Sequence, residues 1–501
     1  MYTLKQNIIF IIIAAIYLLT AINSNGYHHP DEHYQIIEFA GLKGGWNTGA
    51  DLCWEYDAQI RPALQPMLAL VVFKCLGVLG VTNPFGLALG LRVLTALFAV
   101  FCIFVFIRNF KNKIEVKYHT AFVLLSFLLW FLPAINIRFS SETWAGFTLL
   151  LSVVLLNDVQ KQNRRSVYFL AGLLWGLSFE FRFQMAIALF GLFLWLIFIR
   201  KEKLKNLLLL LSGSFAAVFA CTLLDSWFYG NWVFTPWNYF YSNLIEGVAS
   251  HFGVAPWYYY LEQLINRPTP LIGMLLLSAL LIMLFLDYKN IVLWCIIPFL
   301  IIHSLIPHKE LRFLFPVVNF VPLIVIQAFQ KVNNRLENKT VVRAIAYPVV
   351  IIALIINAGG LLMLAVKPAC DGNINILQYI DKHHEHVNLY TIGGSNPYVL
   401  GYNVKGLTPR FYANDKVTVK DLSSVWKRNF GERFEDDDLV MLYASYHESV
   451  YLEKEGLRIE KKSIPDWIIW LDRFYKVYDK YQYIYVLYSK PSNNSLCAKM
   501  E

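Results

Sequence analysis

The stretch His28-His29-Pro30-Asp31-Glu32-His33, continuing through Gln35 to Glu38, sets two adjacent carboxylates and three imidazoles around a helix-starting Pro-Asp pair, directly after an apolar N-terminal run. A carboxylate placed there could take a proton from a hydroxyl nucleophile as a general base. Histidine and carboxylate side chains are also zinc or manganese ligands, but this spacing matches no zinc signature, and neither a metal nor another cofactor is expected. The structural alternative is a helix N-terminus, where first-turn acids are favoured by about 0.3 to 1 kcal/mol. It accounts for one of Asp31 and Glu32 more readily than for both beside three histidines. A second locus, His308, Lys309 and Arg312, brings three potential cations together between the apolar runs 291–306 and 313–330. That suits an anion such as a lipid phosphate, which Arg312 could grip bidentately. Acid and cations make a chemical pair: the base deprotonates an acceptor hydroxyl while the cations stabilise a phosphate leaving an activated carbon.

The rest of the chain must position these groups, and its composition says where. Of 501 residues, 57% are hydrophobic and 16% charged, against about 25% charged in an ordinary soluble protein. This is the composition of an integral membrane protein. The net charge of +9 then reads as basic loops kept on the non-translocated side rather than as a nucleic-acid surface. Seven cysteines without a CxxC spacing make neither a zinc site nor a disulfide framework. Cys53, Cys370 and Cys497 are those that could meet an oxidising compartment.

The run Asn7 to Ile22 is expected to be a retained anchor, since no small-x-small cleavage pattern precedes His28. The loop from Asn23 to Arg61 is acid-rich and is placed outside. Residues 62–80 contain Pro66 and Lys74. If they crossed, the next run would carry Arg108, Lys111, Lys113 and Lys117 outside, so they are expected to form an interfacial or re-entrant helix. Regular alternation then gives about eleven spans, some shorter than the roughly 20 residues a crossing needs. The basic clusters Lys161/Arg164/Arg165, Arg200/Lys201/Lys203/Lys205 and Lys331/Arg335/Lys339/Arg343 all fall inside. Residues 367–501 change character, with strand-length apolar stretches at Val387–Ile392, Leu439–Tyr443 and Tyr483–Tyr488 and a helix near Asp466–Tyr478. The expected organisation is a polytopic α-helical domain, 1–366, followed by a small soluble α/β domain, 367–501, on the outer side. Polar groups at 28–38, 54–61, 138–142, 180–182, 225 onward and 308–312 would converge around one cavity there. Glu180 with Arg182 could form a buried ion pair, and the aromatics Trp227, Trp232, Trp237 and Trp257 an interface belt. Asn493-Asn494-Ser495 fits a glycosylation acceptor.

Four ordered blocks carry a family resemblance. His29-Pro30-Asp31-Glu32 with Gln35, Glu38, Trp54-Glu55-Tyr56 and Arg61 resembles the first outer loop of the GT-C mannosyltransferases that build GPI anchors and N-glycan precursors, glycosyltransferase family 22. Asp225-Ser226-Trp227-Phe228-Tyr229-Gly230 through Asn238, the block from His251 to Tyr260, and His308-Lys309-Glu310-Leu311-Arg312-Phe313 resemble three further blocks of that family. The resemblance implies a GT-C transmembrane fold and an inverting hexosyltransferase. It would move a sugar, mannose in the family, from a polyprenyl-phosphate donor to a glycan or glycolipid acceptor. Carried over by position, Asp31 would be the general base with Glu32 beside it, and His308, Lys309 and Arg312 would hold the donor phosphate. Arg61, Arg182, Asp225 and Trp257 would contact substrate, although the family's Arg-Pro-Thr reads Arg182-Phe183-Gln184 here. A bacterial relative acting on the periplasmic side of the inner membrane is the expected setting, or the lumenal side of the ER in a eukaryote. The competing class is a glycolipid transporter or flippase, which predicts inverted repeats and midplane charges; the sequence displays neither.

Overall fold

In a bilayer an apolar run folds as a helix because a helix satisfies every backbone hydrogen bond within its own segment. The structure, a computed structural model, describes residues 4–162, 165–335, 339–399, 410–422, 434–435, 438–444, 449–454, 456–477 and 484–490. All the expected apolar runs are helical. Among the described residues four helices are long and apolar enough to cross a membrane: Pro84–Lys113, Leu204–Tyr229, Leu311–Arg335 and Ala346–Val366. The helices Pro270–Leu286 and Ile291–Leu305 meet at a bend of 118° and together pass the same test, and shorter apolar helices include Ser141–Asn157, Ser166–Phe181 and Phe183–Ile199. Residues Leu64–Val78, expected at an interface, form one 15-residue helix.

The chain divides into two compact units, and neither is continuous in sequence. The first gathers residues 1–21, 54–71 and 91–365, the second 22–53, 72–90 and 366–501. The boundary near 366 is thus joined by two earlier exchanges, which assign the loop bearing Asp31 to the same unit as the C-terminal sheet.

In the first unit, close helix contacts are made where side chains are smallest. Gly172 and Gly176 lie one turn apart on the helix Ser166–Phe181. A Cβ on them would stand 2.0 Å from the Leu210 carbonyl oxygen and 2.6 Å from that of Ser214, so the two helices touch backbone to backbone, as small-xxx-small faces allow. Gly146 does the same against residues 311–320, where a Cβ would lie 2.7 Å from the Pro316 oxygen. Buried Asn136 and Asn319 exchange amide hydrogen bonds at 2.9 Å.

The second unit contains a five-stranded mixed sheet: β1 (Val387–Thr391), β2 (Val417–Asp421), β3 (Leu439–Tyr443), β4 (Arg458–Lys462) and β5 (Tyr485–Ser489), in the order β2-β1-β3-β5-β4. β1 runs parallel to β2 and β3, and β5 antiparallel to β3 and β4. The amphipathic helix Asn373–His383 buries Ile374, Ile376, Leu377 and Ile380 in one core with Leu389, Met441 and Leu487. Tyr27 from the early loop joins that core, and Asn25 and Tyr27 bond to Gln378 and Asn373 at 2.8 and 3.0 Å.

Candidate functional site

The polar loop of the second unit is shaped by its own caps. Pro30 opens a single helical turn, Pro30–Glu32, with the His29 imidazole accepting from the Asp31 amide at 3.2 Å, a position where proline's missing N–H costs nothing. Residues His33–Glu38 continue as a π-helical turn. The three histidines part company here. His33 is 1% exposed, its Nε2 2.7 Å from Glu38 Oε1 and its ring stacked on Tyr412. Glu38 also accepts from the Asn47 amide at 2.6 Å and the Phe411 N–H at 3.1 Å. These two residues therefore fasten the loop to the C-terminal part of its unit. The Glu32 carboxylate folds back to accept from the His28 N–H at 2.8 Å. Asp31 remains accessible, its side chain 29% exposed and one oxygen 3.5 Å from His29 Nδ1. Arg410 pairs with Asp51 at 2.9 Å. Among the described residues no group of three or more His, Cys, Asp or Glu could hold a metal ion, and neither Cys53 nor Cys370 is in a disulfide. Cys497 and the triplet 493–495 lie outside the described residues.

In the first unit the cations are joined by carboxylates into a chain. Glu142, on the first turn of the helix Ser141–Gln162, is 3% exposed. Its Oε1 lies 2.7 Å from Arg182 Nη1 and 3.1 Å from Arg312 Nη1. Arg312 is held from its other side by Glu310, at 2.5 Å and 3.2 Å. Two unit charges about 5 Å apart repel by about 3 kcal/mol at an effective dielectric near 20, and a carboxylate between two guanidiniums offsets repulsion of that kind. The close approach at Gly146, one turn beyond Glu142 on the same face, is what brings this helix against the segment bearing Arg312.

His308 and Lys309 face backbone. The His308 ring nitrogens meet the Gly253 carbonyl at 2.9 Å and the Glu310 carboxylate at 3.1 Å. Both partners are acceptors, so the ring needs both protons, and the Glu310 bond raises its pKa above the ordinary 6.5 against the pull of burial. Stability from this pair is complete below pH 6.5 and is lost as pH rises through the raised value. We expect the melting temperature of the wild type to fall towards that of His308→Gln as pH is raised above 6.5, measured by thermal unfolding of both proteins; parallel curves would refute the pairing. Lys309 donates to the carbonyls of Ala255 and Ile306 at 2.7 and 2.5 Å and lies 3.4 Å from that of Pro307. It holds the loop 253–257 as well as carrying charge.

The remaining expected site residues separate. Asp225 is fully buried, accepting from the Ala63 N–H at 2.7 Å and the Thr235 hydroxyl at 2.5 Å, which pins residues 61–63 to the helix Leu204–Tyr229. Arg61 lies 3.4 Å from Glu55 and over the Tyr239 ring, whose hydroxyl also accepts from Gln184. Trp257 is 69% exposed, and its belt neighbours Trp227, Trp232 and Trp237 are exposed too. The expected Glu180–Arg182 pair does not form. Arg182 leaves the helix in extended backbone, φ −156°, and turns to Glu142, while both buried Glu180 oxygens lack a hydrogen-bond partner. Sequence reading missed Glu142 and Glu310 as partners of the cations. The one available signal was an acid beside Ser140-Ser141 at the start of an apolar helix.

Comparison with known proteins bears on the fold and the family. ArnT from Cupriavidus metallidurans, solved with undecaprenyl phosphate, superposes with a TM-score of 0.51 at 11% identity, covering 98% of this chain and 99% of that one. Fold and composition together define a multi-pass helical membrane protein with the fold of that enzyme. More particularly, the model of the Alg9-like mannosyltransferase family matches residues 8–392, and the chain belongs to that family. GPI mannosyltransferase 3 of Yarrowia lipolytica is 26% identical over 66% of this chain and 63% of its own length. GPI alpha-1,2-mannosyltransferase 3 of Danio rerio is 27% identical over 58% and 53%. The chain thus spans about half to two thirds of the length of these curated relatives.

Proposed function

We propose that the protein is an inverting mannosyltransferase whose donor is a polyprenyl-phosphate sugar and whose acceptor is a hydroxyl of a glycan or glycolipid. The acceptor oxygen attacks the anomeric carbon, the bond from that carbon to the phosphate oxygen breaks with its electron pair staying on the phosphate, and the acceptor proton passes to Asp31. Glu32 stands beside the base. His308, Lys309 and Arg312 take the donor phosphate, and Arg61, Arg182, Asp225 and Trp257 shape the substrate sites. Apolar helices make about eleven crossings in this reading, with the acid-rich loops on the periplasmic side of a bacterial inner membrane, or the lumenal side of the ER. The observation that carries the proposal is the chain of Arg182, Glu142, Arg312, Glu310 and His308, buried at its first three members, a cationic locus on an apolar scaffold. Support comes also from a relative in Schizosaccharomyces pombe, 35% identical over 26% of this chain and 24% of its own length, whose name includes a Dol-P-Man donor, and from the undecaprenyl phosphate bound to ArnT.

The test is transfer by the purified full chain in lipid nanodiscs, with radiolabelled polyprenyl-phosphate hexoses as donors and octyl mannoside as acceptor. Label should pass from the mannosyl lipid to the acceptor with release of polyprenyl phosphate. Transfer from GDP-mannose in its place, or movement of the lipid across the bilayer without transfer, would overturn the proposal.

A further inference from the structure

We propose that Glu142 is a positioning residue that sets the charge of the anion site: by sharing one carboxylate oxygen between Arg182 and Arg312, it makes the site prefer a singly charged phosphodiester to a doubly charged phosphate monoester. This rests on the donor reading above and adds to it a means of releasing the product. Transfer raises the charge on the phosphate. The donor diester carries one negative charge, and once the bond to the anomeric carbon has broken, the monoester carries nearly two at pH 7. Without that carboxylate the two guanidiniums, Arg312 still paired with Glu310 and both with forks suited to phosphate, would favour that product more than the site does with Glu142 in place.

The geometry shows how Glu142 prevents this. It lies between the two arginines at 2.7 and 3.1 Å and is itself buried. Its other oxygen accepts from the Ser141 hydroxyl at 3.2 Å, and that hydroxyl in turn accepts from Arg182 at 3.2 Å. Ser141 and Glu142, which accept these contacts, both lie on the first turn of one helix, and Gly146 seats that helix against the segment bearing Arg312. The carboxylate cannot swing away without stranding a buried charge, so it keeps its neutralising effect through a catalytic cycle. Lys309, whose ammonium faces backbone carbonyls, adds the same charge whatever stands at position 142.

The experiment measures affinities of the full chain in nanodiscs for two probes, polyprenyl phosphate and polyprenyl-phosphate mannose, in wild type, Glu142→Gln, Glu142→Asp and Arg182→Gln. Glu142→Gln adds a unit of positive charge and should shift the affinity ratio towards the monoester by about tenfold. Its kcat should fall through product inhibition while KM for the donor does not rise. Arg182→Gln removes a unit and should shift the ratio the other way; Glu142→Asp, which keeps the charge, should keep the wild-type ratio. A ratio unchanged in Glu142→Gln and Arg182→Gln, even with activity lost, would reduce Glu142 to a packing role and overturn the proposal. If Glu142→Gln fails to fold, the opposite shift in Arg182→Gln decides. Wild type that binds neither lipid overturns the donor reading itself, a failure visible before any substitution is made.

Discussion

Asp31→Asn is expected to lower turnover by about a hundredfold to ten-thousandfold, the range a positioned general base contributes, while leaving the fold intact. The substitution keeps the shape of the side chain and removes only its ability to accept a full proton. Asp31 sits on a single exposed turn with its side chain 29% exposed. The stability at stake is therefore the first-turn interaction with the helix dipole, about 0.3 to 1 kcal/mol. Donor affinity should stay near the wild-type value, so the loss falls on kcat. Glu32→Gln is the paired control. Its carboxylate accepts a hydrogen bond from the His28 amide within the same loop, and the amide oxygen of glutamine can do the same, so a loss of no more than about tenfold is expected. Transfer assays under saturating donor, with melting temperatures alongside, distinguish the two. Near-normal turnover in Asp31→Asn would remove it as the base, and a larger loss in Glu32→Gln would move that role one residue along.

The helical runs and three of the five strands were legible because burial leaves a continuous signature in hydropathy. β1, β3 and β5 are the inner strands of the sheet, and β3 is buried at every position. The two strands that escaped, Val417–Asp421 and Arg458–Lys462, are its edges. Edge strands carry charges that discourage pairing with other chains, and Lys420, Asp421, Lys461 and Lys462 make them read as loop. The cationic cluster at 308–312 was legible for the same local reason, three cations in one short turn. Its partner was not. Glu142 lies 170 residues from Arg312 in sequence, and only the backbone contact at Gly146 reveals the pairing. Nearness in sequence suggested Glu180 for Arg182, but residues two apart do not share a helix face. The histidines misled in the opposite way: of the three at 28 to 33, His33 is buried in structural contacts, which no spacing rule separates from a site.

That buried histidine belongs to the network whose loss should most damage stability. Glu38→Ala is expected to destabilise the second unit by about 2 to 4 kcal/mol, the effect of stranding several buried donors around one lost acceptor. Glu38 is 2% exposed and receives the Asn47 amide, the Phe411 N–H and the His33 ring. Alanine would leave the His33 ring and the Phe411 N–H without that acceptor, would leave the Asn47 amide only the Glu38 backbone carbonyl, and would fill none of the space. Unsatisfied buried groups cost about 1 to 3 kcal/mol apiece, but they share one cavity and will not add in full. Glu38→Gln should lose about half as much, since one amide oxygen can still accept while its NH2 group must face donors. Hydrogen exchange supplies the local reading: amides between Tyr27 and Asn47, and at Phe411 and Tyr412, should lose protection together in Glu38→Ala, with those flanking Glu142 unchanged. Because Asp31 rides on the same loop, turnover should fall with that protection, whereas polyprenyl phosphate should still bind through the first unit. Protection lost uniformly through both units would mean that Glu38 supports the whole chain, and unchanged protection would mean that the sheet domain holds the loop without it.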